Sequence, residues 1–295
     1  MADLNMTGKI LKGVGGFYTV LDANGKQYEC RACGRFRNEG ETPLPGDDVE
    51  FSPETAYIDQ ILPRRSELKR PRVANVDMVA IVASPDKPKI DALLCDKLII
   101  SARRNGIEPL LVLNKCDAAT QSDIEKICAD YRGAVETVCV SARTNLGLDE
   151  LKERLSGKCT CFAGQSAVGK SSLLNAMFRG LTLKTDGLSR KTDRGKHTTR
   201  HAELLVPEDF SGTVVDTPGF SFFENDDIEP EALWMHYSDM RPFGGHCRYP
   251  SCLHVGEPDC GVKEALQRGD ISPNRYARYL EILKELKEKR DKRYD

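Results

Sequence analysis

Between Thr7 and Leu62 the apolar residues fall in short extended runs: Thr7 to Val14, Phe17 to Leu21, Gln27 to Arg31, Asp47 to Phe51 and Tyr57 to Leu62. None of them has a helical period. Asn24-Gly25 is a hairpin signal because both residues tolerate positive φ, and Pro43, Pro45 and Gly46 break the chain before the fourth run. Five short strands closely spaced predict a small all-β barrel. The OB-fold is the RNA-binding form of such a barrel, and an SH3-like barrel is the competing arrangement.

After a basic connector, Pro63 to Arg72, the period changes. Val76 to Ala83 is a nearly continuous apolar run, as a parallel strand covered on both faces requires. Helical period follows in Asp91 to Arg104, Ser122 to Tyr131, Leu148 to Leu155 and Ser171 to Phe178. Extended runs alternate with it at Leu110 to Leu113, Val135 to Val140, Cys159 to Phe162 and Thr213 to Val215. That alternation predicts a doubly wound α/β sheet. From about residue 222 the strands stop, and a helix from Asn274 onward carries Tyr276, Tyr279, Leu280, Leu283 and Leu286 on one face. The predicted units are a barrel at 1–66, an α/β domain at 67–222 and an α-helical C-terminal domain at 223–295.

Composition narrows the classes. With 40% hydrophobic and 30% charged residues in 295, the chain is globular rather than disordered. No apolar run is long enough to span a bilayer, and Met1-Ala2-Asp3-Leu4-Asn5 lacks the start of a signal peptide, so a cytoplasmic location and no membrane partner are expected. In a reducing compartment the 11 cysteines are metal ligands or buried apolar groups rather than disulfides. A net charge of -2 confines any RNA contact to patches. Arg64, Arg65, Lys69, Arg70 and Arg72 form one candidate, and Lys184, Arg190, Lys191, Arg194, Lys196 and Arg200 another. Solvated loops are the alternative for both.

Gly164-Gln165-Ser166-Ala167-Val168-Gly169-Lys170-Ser171, with Ser172 after it, fits a phosphate-binding loop placed between a strand and a helix. Its glycines let backbone N–H groups point at phosphate oxygens, Lys170 reaches the terminal phosphates, and the Ser171 hydroxyl is offered to Mg2+. Asn114-Lys115-Cys116-Asp117 ends another strand, and the Asp117 carboxylate suits the two donors on the guanine edge, which adenine lacks. Ser141-Ala142 matches the short loop that meets the guanine carbonyl through a backbone amide. Asp216-Thr217-Pro218-Gly219 places Asp216 on Mg2+ through water and the Gly219 N–H on the γ-phosphate. His197-Thr198-Thr199 has the position of a switch loop, with Thr199 completing the Mg2+ shell. Phe220 stands where many GTPases orient the attacking water with glutamine, so slow intrinsic hydrolysis is expected. His197 is either the substitute or an RNA-contacting group. The segment after Gly219 enters the C-terminal region directly, which suggests that the γ-phosphate moves that region.

The motifs run from base recognition to phosphate loop to switches, a circularly permuted order, tolerable where the old termini lie close together. Cys247, Cys252, His254 and Cys260 suit a closed, structural zinc site, with a redox role as the rival. Cys30, Cys33, Cys159 and Cys161 read as packing residues.

The motif order at Asn114 to Asp117, Gly164 to Ser172, Gly195 to Thr199 and Asp216 to Gly219, the leading barrel and the four zinc ligands together resemble the ribosome small subunit-dependent GTPase A family across nearly the whole chain. The resemblance implies a multi-domain protein: an N-terminal OB-fold barrel, a central α/β P-loop GTPase in permuted order and a C-terminal zinc domain. It further implies a GTP hydrolase that assists late maturation of the bacterial small (30S) ribosomal subunit, is stimulated by that subunit, and touches its 16S rRNA through barrel and zinc domain. A monomer cycling between GTP and GDP is expected. Ala167, where many phosphate loops carry glycine, departs from the pattern. The competing function is an RNA-binding structural factor in which nucleotide only stabilises the fold.

Overall fold

In a computed structural model of the protein, residues 5–38, 40–69, 71–178, 202–216 and 228–294 are described. β1 (Met6–Val14), β2 (Phe17–Asp22), β3 (Gln27–Ala32), the short α1 (Gly34–Asn38), β4 (Asp48–Ser52) and β5 (Tyr57–Ile61) build the N-terminal unit. Its strands close into a barrel in the order β1-β2-β3-β5-β4. Every neighbouring pair is antiparallel except β3 with β5, which pair in parallel. That is the partly parallel closure of a five-stranded OB-type barrel. Register slips in β1 between Ile10 and Lys12 and in β4 between Glu50 and Phe51 give the strands the bend that closure needs. At the Asn24-Gly25 turn, Gly25 takes φ +80 and the Asp22 carboxylate accepts the Asn24 and Lys26 N–H groups. Ile10, Val20, Cys30, Val49, Phe51 and Ile58 fill the interior.

The connector is not a loop. β6 (Glu67–Lys69) and β7 (Arg72–Ala74) form a hairpin with Leu68 and Val73 buried. Arg64 is a fastener: its Nε and Nη2 donate to the buried Asp47 carboxylate at 2.7 and 2.8 Å, and its Nη1 reaches Glu67 at 2.7 Å. Arg65 pairs with Asp77 at 3.1 Å.

The central unit comprises β8 (Met78–Ala83), α2 (Ala92–Arg104), β9 (Glu108–Leu113), α3 (Gln121–Tyr131), β10 (Glu136–Cys139), α4 (Leu148–Leu155), β11 (Cys159–Ala163), α5 (Lys170–Met177), β12 (Glu203–Leu205) and β13 (Thr213–Asp216). Six strands lie in the order β10-β9-β8-β11-β13-β12, all parallel except the edge strand β12. β8 is buried throughout. Val79, Ile81 and Ala83 enter one core layer with Leu98 and Ile99 of α2, while Met78, Ala80 and Val82 enter the other with Leu151 of α4 and Leu173 of α5. Cys159 and Cys161 belong to the first layer. Asp91 caps α2 by accepting the Leu94 N–H at 2.9 Å, and Thr120 caps α3 through Asp123.

The C-terminal unit follows as a 3-10 turn (Pro230–His236), α6 (Arg241–Gly244), α7 (Gly261–Arg268) and α8 (Pro273–Tyr294). The apolar stripe read from the sequence is its core: Tyr279, Leu283 and Leu286 are buried, and Tyr276 and Leu280 pack beside them. Ile100 of α2 joins the same cluster, so the two units share one interior. Arg275 of α8 is 1% exposed and bridges Asp96 of α2 at 2.5 Å and Asp239 at 2.7 Å, with the Tyr131 and Tyr237 rings on its guanidinium. Among the described residues no helix is long and apolar enough to cross a membrane.

Candidate nucleotide site and metal centre

β8, β9, β10 and β11 all end on one edge of the sheet, and the three described nucleotide motifs leave from there. Carboxyl ends of parallel strands are where such sheets bind ligands. Gly164 follows β11 with φ +128, and a Cβ there would lie 2.1 Å from the Val82 carbonyl oxygen. Only glycine lets the loop rest on β8 this closely. Gly169, at φ +93, leads into α5, and a Cβ would sit 2.6 Å from the Asn114 side-chain nitrogen. Ala167 holds φ +62, so the departure from glycine is a left-handed residue kept in place by its surroundings. Its carbonyl accepts Lys115 Nζ at 2.7 Å.

Lys170 Nζ donates to the Gly164 and Gln165 carbonyls, each at 2.8 Å. Burial holds its pKa below the ordinary lysine value, because a half-enclosed ammonium lacks part of its hydration. An anion placed against it recovers that cost.

Asn114 ties the motifs together. Its Nδ2 donates to the Val168 carbonyl at 2.9 Å, and its Oδ1 accepts the Ala142 N–H at 3.1 Å. One buried amide thereby sets the spacing of base loop, phosphate loop and the Ser141-Ala142 loop. Lys115 is left-handed at φ +66 and spans from Ala167 to the Lys87 carbonyl at 2.7 Å. Cys116 is buried, donating its backbone N–H to Val140 and its thiol to Leu113. Asp117 accepts Ser141 Oγ at 2.5 Å and Arg143 Nε at 2.7 Å. Those bonds, Ser141 foremost, hold its carboxyl below the usual aspartate range. Both oxygens of the Asp117 carboxylate are thereby engaged, one by Ser141 and one by Arg143.

Cys247, Cys252, His254 and Cys260 converge, with all four ligand atoms within 4.8 Å of one another. His254 Nδ1 lies 3.4 Å from both Cys247 Sγ and Cys260 Sγ, and those two sulfurs are 3.8 Å apart. A tetrahedron with Zn–S of about 2.3 Å and Zn–N of about 2.0 Å has edges of roughly 3.8 and 3.5 Å. The donor set fits one structural zinc through Nδ1. Burial raises the Cys252 and Cys260 thiol pKa values, so a metal must displace their protons on binding. Around the site, Glu257 accepts the Leu253, Val255 and Gly256 N–H groups, α8 donates Tyr276 OH to the His254 carbonyl, and Trp234 stands edge-on to the His254 ring at 5.5 Å.

This geometry has relatives. The RsgA GTPase family model matches residues 61–226, and the RsgA N-terminal domain model matches residues 7–58. The chain belongs to the RsgA GTPase family. It is 46% identical over 285 residues to the small ribosomal subunit biogenesis GTPase RsgA of Ruminiclostridium cellulolyticum, covering 94% of this chain and 92% of that one. The protein of the same name from Caldanaerobacter subterraneus subsp. tengcongensis is 45% identical over 291 residues, covering 97% and 98%. Among solved structures, YjeQ from Thermotoga maritima superposes with a TM-score of 0.84 at 38% identity, covering 96% of this chain and 99% of its own. YloQ, a circularly permuted GTPase, gives 0.81 at 35% identity, with 96% of each chain covered.

As an RsgA-family member the protein is a GTP-hydrolysing enzyme with a permuted GTPase domain between a barrel and a Cys/His cluster. This RsgA-family GTPase brings Asn114, Lys115, Asp117, Ser141, Ala142 and residues 164–171 to one edge. Ser171 and Ser172 lie in the first turn of α5. Asp216 ends β13, but its side chain lies outside the described residues, as do His197, Thr199, Gly219 and the second basic run. Arg143 on Asp117 and Trp234 on His254 went unpredicted. Arg143 had a local signal, a cation one residue past Ser141-Ala142; Trp234 had none.

Proposed function

We propose that this protein binds GTP along the β8–β11 edge, hydrolyses it on the small ribosomal subunit during late maturation, and leaves in the GDP form. In this reading Asp117 selects guanine, with the Asn114-Lys115-Cys116 and Ser141-Ala142 backbones framing the base. Gly164 to Ser172 hold the phosphates, and Lys170 turns from its two carbonyls onto the terminal phosphates. Ser171 and Thr199, with Asp216 through water, hold Mg2+, which neutralises charge developing on the phosphate oxygens. Gly219 meets the γ-phosphate, and His197 positions water. The observation that carries the reading is the Asn114 amide, which locks the guanine-selecting loop to the phosphate loop across 54 residues of sequence.

The barrel supports an RNA partner. Phe17, Arg31 and Tyr57 are registered side by side on β2, β3 and β5; Phe17 and Tyr57 are exposed and the Arg31 guanidinium lies 4.7 Å from the Phe17 ring. Aromatic faces beside a cation suit stacked single-stranded bases. Beside the zinc cluster, Arg248 covers the exposed Tyr249 ring. We assign 16S rRNA to these two faces, the boundaries 1–66, 67–222 and 223–295 to the units, and a cytoplasmic monomer to the whole. The deciding experiment is GTP turnover with and without purified small subunits. A rate increase with them is expected, and an unchanged rate rejects the ribosomal reading. Lys170→Ala is expected to abolish turnover in both conditions.

A further inference from the structure

Behind the base loop lies a pair of thiols that nucleotide binding does not use. Cys128 on α3 and Cys139 at the end of β10 place their sulfurs 3.9 Å apart, and both are half-buried rather than sealed. Cys139 immediately precedes Val140, whose carbonyl accepts the Cys116 N–H at 3.1 Å. Cys116 is the third residue of the guanine-selecting motif. Cys139 therefore joins a helix thiol on one side to the base-loop backbone on the other.

We propose that peroxide oxidises this pair to a Cys128–Cys139 disulfide, which loosens the guanine-binding loop. The Cys139 thiolate attacks one oxygen of hydrogen peroxide, the O–O bond breaks, and the leaving oxygen takes a proton and departs as water. The Cys128 sulfur, 3.9 Å away, then attacks the Cys139 sulfenic acid, the S–O bond breaks, and the leaving hydroxide takes the Cys128 thiol proton and departs as a second water. Two thiol hydrogens and two electrons have passed to one peroxide.

The consequence follows from what Cys139 carries. A disulfide needs sulfurs at about 2.05 Å, so the two sulfurs close by nearly 2 Å and Cys139 is drawn toward α3. The next residue, Val140, accepts the Cys116 N–H through its carbonyl, and the one after, Ser141, holds Asp117. Pulling this strand end away from Cys116 unseats both supports of the base-side acceptor.

The inference rests on the nucleotide reading above. Zinc-loaded full-length protein is treated with stoichiometric hydrogen peroxide, its disulfides are mapped by peptide mass spectrometry, and binding of a fluorescent guanosine diphosphate is titrated before oxidation, after it, and after dithiothreitol. A Cys128–Cys139 link, affinity lowered roughly tenfold (about 1.4 kcal/mol), and recovery on reduction are expected. Cys139→Ser is expected to bind normally and to ignore peroxide. Zinc release, read with a chromogenic chelator, separates oxidation of Cys247, Cys252 and Cys260. No Cys128–Cys139 link, an unchanged affinity once it has formed, or peroxide sensitivity that persists in Cys139→Ser overturns the inference. If the reduced protein fails to bind guanosine diphosphate at all, the nucleotide reading falls instead.

Discussion

Asn114 shows how one side chain can set the geometry of a site assembled from distant parts of a chain. Its amide is 1% exposed and uses both ends, one on Val168 and one on Ala142. A methyl group pushed toward it should misplace all three loops together. Gly169→Ala puts a Cβ 2.6 Å from that amide at a φ of +93, so guanine-nucleotide affinity is expected to fall at least tenfold in a fluorescence titration. Removing the base-side carboxylate acts differently. Asp117→Ala should leave phosphate binding in place and erase the preference for guanosine over adenosine triphosphate in competition binding, since no acceptor remains for the two guanine donors. Retained selectivity would remove Asp117 from its assigned role.

At the scale of elements, what the sequence revealed depended on length and on burial. β8 was legible because burial on both faces writes an unbroken apolar run, and α4 because Leu148, Leu151 and Leu155 recur at helical spacing. The β6–β7 hairpin was read as a connector since each strand has three residues, too few for a period, and its charged residues point outward around Leu68 and Val73. β12, also three residues, vanished for the same reason, and α7 offered only Val262 and Ala265 as buried apolar side chains. The nucleotide motifs stood out as spacing patterns, whereas the Asn114 bridge and the Arg143 contact join segments whose proximity only the fold creates. The zinc loop is the element most dependent on something other than packing. Removing the metal with a strong chelator is expected to unfold the segment around residues 247–260, since folding there is coupled to ligand binding. Trp234, the single tryptophan, stands against the His254 ring, so intrinsic fluorescence should report the loss. An emission spectrum indifferent to zinc would reject a structural metal at this cluster.

Across the whole molecule, the C-terminal unit is fastened to the base-recognition half of the GTPase domain. Asp96 of α2 receives Arg275 at 2.5 Å and Arg278 at 2.5 Å, Asp130 of α3 receives Ser272 at 2.7 Å, and Lys97 pairs with Glu285 at 2.7 Å. Arg275→Ala strands the buried Asp239 carboxylate and leaves Asp96 to Arg278 alone, so unfolding free energy from urea titration is expected to drop by about 3–5 kcal/mol. Lys284→Ala, on the exposed side of the same helix, should change it by less than about 0.5 kcal/mol.

The permuted order of the sheet has a cost at birth. β8 lies between β9 and β11, yet β9 follows it closely while β11 ends at Ala163, some 80 residues downstream of Ala83. At about 5–20 residues per second of synthesis, the β8 backbone waits roughly 4 to 16 s for its second neighbour. During that interval the nascent chain carries half a sheet whose raw border is an all-apolar strand, the kind of edge that templates aggregation. An ordinary GTPase, which makes its phosphate-loop strand first, has that neighbour waiting when this strand emerges.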